Sequence, residues 1–217
     1  HVELSMRVLR ILVLVAFIAV TTARFFVHNR QEDATISDIS NSKVKLLVQG
    51  IKESFSTLYE NGKEFVVLCL VPQNSDYTYG MLKRMKLCVY QVLDEESLHY
   101  HPDQQAFDKL NYLLQNYAID FGSVSFDIVF YDMMTPCTTC AQRIINDYRN
   151  LQGDTKVGEL RIIYTRLYKN NNNKSIYYDP DGTNNLNQVL DMIADYNANA
   201  FPRPPGRSIR LTREDTL

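Results

Sequence analysis

The fold is decided by Phe126-Asp-Ile-Val-Phe-Tyr-Asp-Met-Met-Thr-Pro-Cys137-Thr-Thr-Cys140-Ala-Gln-Arg-Ile-Ile-Asn-Asp-Tyr-Arg-Asn-Leu151. An apolar run from Val124 to Tyr131 reads as a strand, and Pro136 closes the connection that follows it. Ile144, Ile145, Tyr148 and Leu151 then recur at helical spacing, so Cys137 and Cys140 sit on the first turn of a helix. A helix N-terminus carries partial positive charge and free N–H groups, which favour a thiolate. The local chemistry is metal binding or thiol redox.

Outward from this unit the chain alternates in the same way. Ser42 caps a helix with Val44, Leu47, Val48, Ile51, Phe55 and Leu58 on one face, closed by Asn61-Gly62. Phe65 to Val71 is a continuous apolar run ending at Pro72, the pattern of a strand covered on both faces. A polar loop is expected from Gln73 to Gly80 and a second strand from Lys86 to Leu93, antiparallel to the first because the connection is short. A helix opening at His101-Pro102 carries Ala106, Phe107, Leu110, Leu113, Leu114 and Tyr117 on one face, with Pro102 in the first turn where its missing N–H costs nothing. Leu160 to Tyr164 centres a fourth strand, and Leu186, Val189, Leu190 and Ile193 mark a last helix. Ser208 to Leu211 suits either a short edge strand or disorder.

The ends read differently from the middle. Met6-Arg-Val-Leu-Arg10, the apolar run Ile11 to Val20 and the small residues Thr21-Thr-Ala23 have the form of a secretory signal peptide, with translation starting at Met6 and residues 1–5 upstream of it. The apolar run falls short of the ~20 residues that span a bilayer, so a cleaved signal is preferred to an anchor. Residues 24–41 form a polar lead-in, 42–199 the folded domain, and 200–217 a basic, Pro-rich tail. Asn173-Lys-Ser175, in an Asn-rich excursion, is an acceptor sequon for glycosylation on a secreted chain. With 217 residues, 45% of them hydrophobic, one full core is expected. A net charge of -2 and a pI near 6.1 argue against bulk binding of nucleic acid. Beyond the motif, Cys69 and Cys88 fall in successive strands and read either as a disulfide or as two buried free thiols.

His101 at one helix start, with Cys137 and Cys140 at another, offers an imidazole and two thiolates, a set that zinc accepts while keeping a fourth position for water. His99 competes with His101 as ligand. His101-Pro102-Asp103 and Pro136-Cys137-Thr-Thr-Cys140 resemble the signature of the zinc-dependent cytidine and nucleobase deaminase superfamily, H-x-E followed by P-C-x-x-C on successive helices. The order of elements agrees over residues 43 to about 197, while the specific likeness is confined to those eight positions.

The resemblance implies a three-layer α/β sandwich with a mixed central sheet, of cytidine-deaminase-like type. It further implies Zn2+ on His101, Cys137 and Cys140, and a nucleoside, free base or nucleic-acid base as substrate. Asp103 stands where the family carries its proton-carrying glutamate, one methylene shorter, so zinc binding carries over more directly than catalysis. Three functions follow: a secreted deaminase, a catalytically inactive zinc-stabilised binding or effector protein, or a thiol–disulfide oxidoreductase. The last fits least, because the chain has no Trp, places Thr-Thr between its cysteines, and would leave His101 without a role.

Overall fold

The computed structural model describes residues 41–73, 76–93, 101–122, 124–151, 156–170, 179–199 and 207–217. The proposed signal peptide, residues 24–40 of the lead-in, His99 and the Asn173 sequon lie outside them, while Asn41, placed at the end of the lead-in, already belongs to the first helix. In chain order the elements are α1 (Asn41–Ser54), α2 (Ser56–Glu60), β1 (Phe65–Pro72), α3 (Tyr79–Arg84), β2 (Cys88–Val92), α4 (Pro102–Asp108), α5 (Leu110–Phe121), β3 (Phe126–Met134), α6 (Thr138–Asn150), β4 (Val157–Arg166), α7 (Thr183–Asn199) and β5 (Ile209–Arg213), closed by a 3-10 turn at Glu214–Thr216.

The strands form one mixed sheet in the order β2-β1-β3-β4-β5. β1 is antiparallel to both neighbours, whereas β3, β4 and β5 run parallel. Successive side chains of a strand point to opposite faces. All eight residues of β1 and the first eight of β3 and of β4 are nonetheless buried, so helices cover both faces and the domain is a three-layer α/β sandwich. α1 packs on α3, α4 on α6, and α6 on α7. The edge strands β2 and β5 are only half-buried.

Several details depart from the sequence pattern. The expected polar loop ends early: Thr78 accepts from the Met81 amide at 3.3 Å and caps α3, whose Tyr79 and Leu82 reach the core. Six residues are too few for a periodicity to show. The single helix expected after His101 breaks at Lys109 into α4 and α5, and the first helix breaks at Phe55. In α7 the buried stripe is Asn185, Val189, Ile193 and Tyr196, while Leu190 is exposed.

The segment read as a tail contributes β5 to the sheet. Asn197 on α7 secures it, donating to the Ile209 carbonyl at 2.7 Å and accepting from the Ile209 amide at 3.1 Å. Among the described residues no helix is long and apolar enough to cross a membrane.

Of the two readings of Cys69 and Cys88, the disulfide holds: the residues are directly opposite in the β1–β2 register and are bonded. The bond ties the edge strand to the fully buried β1. Closing a loop over a separation of 19 residues restricts the unfolded chain by about 3 kcal/mol. The double variant Cys69→Ala/Cys88→Ala should lose about that much in urea unfolding, and an unchanged midpoint would show the crosslink to be idle.

Candidate metal centre

Two helix starts build the centre. His101 is the extended residue before α4, followed by Pro102, whose fixed φ suits the first turn. Cys137 holds the same place before α6, and its Sγ accepts from the Cys140 amide at 3.3 Å. Because α6 leaves the carboxyl end of β3, its N-terminal turn stands over that edge of the sheet. The structure brings the three expected residues together there. One donor atom each from His101, Cys137 and Cys140 lies within 4.8 Å of the others. The sulfurs are 3.0 Å apart, His101 Nδ1 is 3.4 Å from Cys140 Sγ, and Gln104 Nε2 approaches the same sulfur at 3.9 Å. The cluster can hold a metal ion.

The charges are tuned for it. A hydrogen bond from Cys140, then one from His101 and the Cys140 amide, hold the Cys137 thiol down at about 4 against the opposing effect of burial. The same contact, read from the other sulfur, pushes Cys140 up. Hydrogen bonding to Cys137 raises His101 to about 9, overcoming its desolvation. Without metal the pair is thiolate and imidazolium, so metal binding must release the protons of His101 and Cys140.

Behind these ligands lies a second group, in which Asp103, expected from the sequence, is joined by Glu64 and Asp132, which were not. Glu64, Asp103 and Asp132 each offer a carboxylate oxygen within 4.8 Å of the others. Asp103 and Asp132 are 2% and 1% exposed. Burial lifts Asp103 to about 6 and, with the Asp103 charge adding to it, Glu64 to about 7; Asp132 is raised well above the usual carboxylate range by the same two causes. At an effective dielectric constant of ~20, two full charges this close repel by about 3 kcal/mol, so the cluster retains protons near neutrality.

Asn185 supports the cysteine turn. Its Nδ2 donates to the Pro136 carbonyl at 3.0 Å, and its Oδ1 accepts from the Thr138 amide at 3.1 Å, so one side chain grips the backbone on both sides of Cys137. Asp179 in turn accepts from the Asn185 amide at 2.7 Å. The turn before α7 requires Gly182: its φ is +78°, and a Cβ there would come within 2.5 Å of the Tyr168 carbonyl. Tyr168 lies beside the centre, its ring 6.3 Å from that of His101. A cavity of about 710 Å³ opens against the ligands, walled also by Gln104, Tyr168, Asn170, Asn185 and Asp191.

Sequence reasoning assigned none of these wall residues. The Asn-rich composition around residue 170 to 187 was the available signal for Asn170 and Asn185, whereas Glu64 and Asp132 carry no local mark.

Asn185→Ala should weaken metal binding about 10- to 100-fold, as loss of a partner that orients ligands does, measured by competition with a chromophoric chelator. Glu64 gives a pH signature. Its folded pKa is raised, so its stabilising contribution is present below about 4.5 and is lost as pH rises through about 7. Relative to wild type, metal-free Glu64→Gln should therefore gain in Tm across that window, with His101, Cys137, Asp103 and Asp132 common to both proteins; a constant difference would contradict the burial of this carboxyl. In comparisons with known proteins, no family model and no curated protein matches the chain.

Proposed function

We propose that this chain is a zinc-dependent hydrolase that deaminates a nucleoside or nucleobase. The observation that carries the reading is the convergence of His101, Cys137 and Cys140 at the wall of a polar cavity, with the buried Asp103 on the first turn of α4, two residues after His101. Two sulfurs and one imidazole nitrogen, all within 4.8 Å of one another, form a soft donor set that would hold a zinc ion. When bound, zinc would supply the Lewis acidity that makes water nucleophilic at neutral pH.

The chain's own residues supply the rest. Asp103 accepts a proton from the attacking water and returns it to the departing amine, so that an amidine carbon exchanges its C–N bond for C–O and ammonia leaves. Gln104 and Asn170 offer amide groups, which suit the edge of a base, and Tyr168 offers a ring face on which one can stack. The described cavity wall contains Asp179 and Asp191 and no Lys or Arg, which favours an uncharged nucleoside or base over a polynucleotide. Secretion agrees with the Cys69–Cys88 disulfide, a bond of oxidising compartments.

One observation favours a second reading, a zinc-stabilised binding or effector protein without turnover. Asp103 is 2% exposed, and the cavity wall is formed by His101 and Gln104 on either side of it in sequence. Metal analysis with a screen of cytosine and adenine compounds separates the two. Stoichiometric zinc with ammonia release is expected, and Asp103→Asn should lower turnover at least about 100-fold with zinc content unchanged. Zinc without turnover on any amino-bearing base would transfer the chain to the second reading.

A further inference from the structure

Glu64 is absorbed by neither the metal set nor the cavity wall. It is the residue before β1, and its carbonyl accepts from the Leu93 amide at 2.9 Å. β1 runs antiparallel to β3 with Val66 opposite Asp132, so Glu64 stands at the end of the sheet where β3 gives way to Thr135, Pro136 and Cys137. Three carboxyls from three separate elements thus meet under the metal ligands: Glu64 from the lead into β1, Asp103 from the first turn of α4, and Asp132 from β3. Asp132 is already held, its Oδ1 accepting from the Met134 amide at 3.0 Å.

The side chain of Asp103 is short and buried, and its carboxyl must be aimed correctly to act on a water at the ligands. A neighbouring donor is the simplest way to fix its rotamer. We propose that Glu64 is the positioning residue for the Asp103 carboxyl, reaching it from the β1 side of the cluster. The proposal rests on the reading of Asp103 as proton carrier. Their oxygens lie within 4.8 Å, a separation that one bridging water or a small side-chain rotation closes. Glu64 is buried enough to keep its own proton near neutrality and therefore to donate it in a hydrogen bond. The combined length of the two side chains sets the geometry: one long and one short carboxyl fit, whereas two long ones crowd Asp132 and two short ones leave a gap.

The test is an exchange of lengths. Glu64→Asp, Asp103→Glu and the double exchange Glu64→Asp/Asp103→Glu are compared with wild type for Tm, zinc content and, with the deaminated substrate, kcat and KM. Each single variant should lower Tm and reduce kcat by about 10- to 100-fold with KM within about twofold, as expected when a catalytic group is misplaced. The double exchange should recover most of both losses, with zinc unchanged throughout. Glu64→Gln, which keeps the length and a donor, should stay close to wild type in kcat at neutral pH.

Losses in Tm that simply add in the double exchange would overturn the proposal. So would a collapse of kcat in Glu64→Gln with Tm and zinc intact, since Glu64 would then carry the proton itself. If no variant, wild type included, turns over any base, the reading of Asp103 as proton carrier fails, and recovery of Tm in the double exchange still decides whether the two carboxyls are matched.

Discussion

The antiparallel pairing of β1 with β3, Val66 opposite Asp132, determines which end of the sheet carries chemistry. Because β3 continues in parallel with β4 and β5, its carboxyl end is also the edge from which α6 leaves with Cys137 as its cap. The same pairing turns the start of β1 toward that edge and brings Glu64 with it. A slip of one residue would send every side chain of β1 to the opposite face and remove Glu64 from the cluster. A buried charge guards against such a slip: Asp127 of β3 accepts from Gln73 Nε2, just past β1, at 2.8 Å and from the Glu159 amide at 2.7 Å, and a shifted register would strip it of these partners.

The centre is expensive in isolation, with two buried carboxyls, a partly buried third, a thiolate and an imidazolium in a few ångströms. Charge placed in a low-dielectric interior is retained where it is paired, hydrogen-bonded or coordinated. Here Cys137 has His101 and the Cys140 amide, and Asp132 has the Met134 amide, while the Glu64 and Asp103 carboxyls are raised instead by burial. A purely structural core would be built more cheaply from Val and Leu. Perturbed carboxyls and thiols gathered beside a polar cavity are the arrangement expected where protons are moved.

Much of this was legible in the chain and some of it was not, for a physical reason. The alternation of apolar runs and amphipathic stretches gives the layers, and His101, Cys137 and Cys140 could be found because helix starts leave strong local marks in Pro, Thr and Cys. The break at Lys109, the six-residue α3 and the exposure of Leu190 escape because they depend on how helices meet, which short windows do not encode. Glu64 is the clearest case: nothing within ten residues of it signals a role, and its place is set by strand pairing with residues almost seventy positions away. Asn185 is intermediate, since an Asn-rich stretch was visible but the two backbone groups it grips were not.

The chain holds two cysteine pairs in opposite oxidation states, Cys69–Cys88 joined and Cys137 with Cys140 free though their sulfurs are 3.0 Å apart. Their handling requirements conflict. A reductant strong enough to keep the second pair open also attacks the hairpin crosslink, and an oxidant that closes the hairpin threatens the ligands. A metal ion seated early would resolve the conflict, since coordinated thiolates are shielded from exchange. Were the chain loaded with metal in an oxidising compartment, the order of metal supply and oxidation would decide how much of it matures with its centre intact.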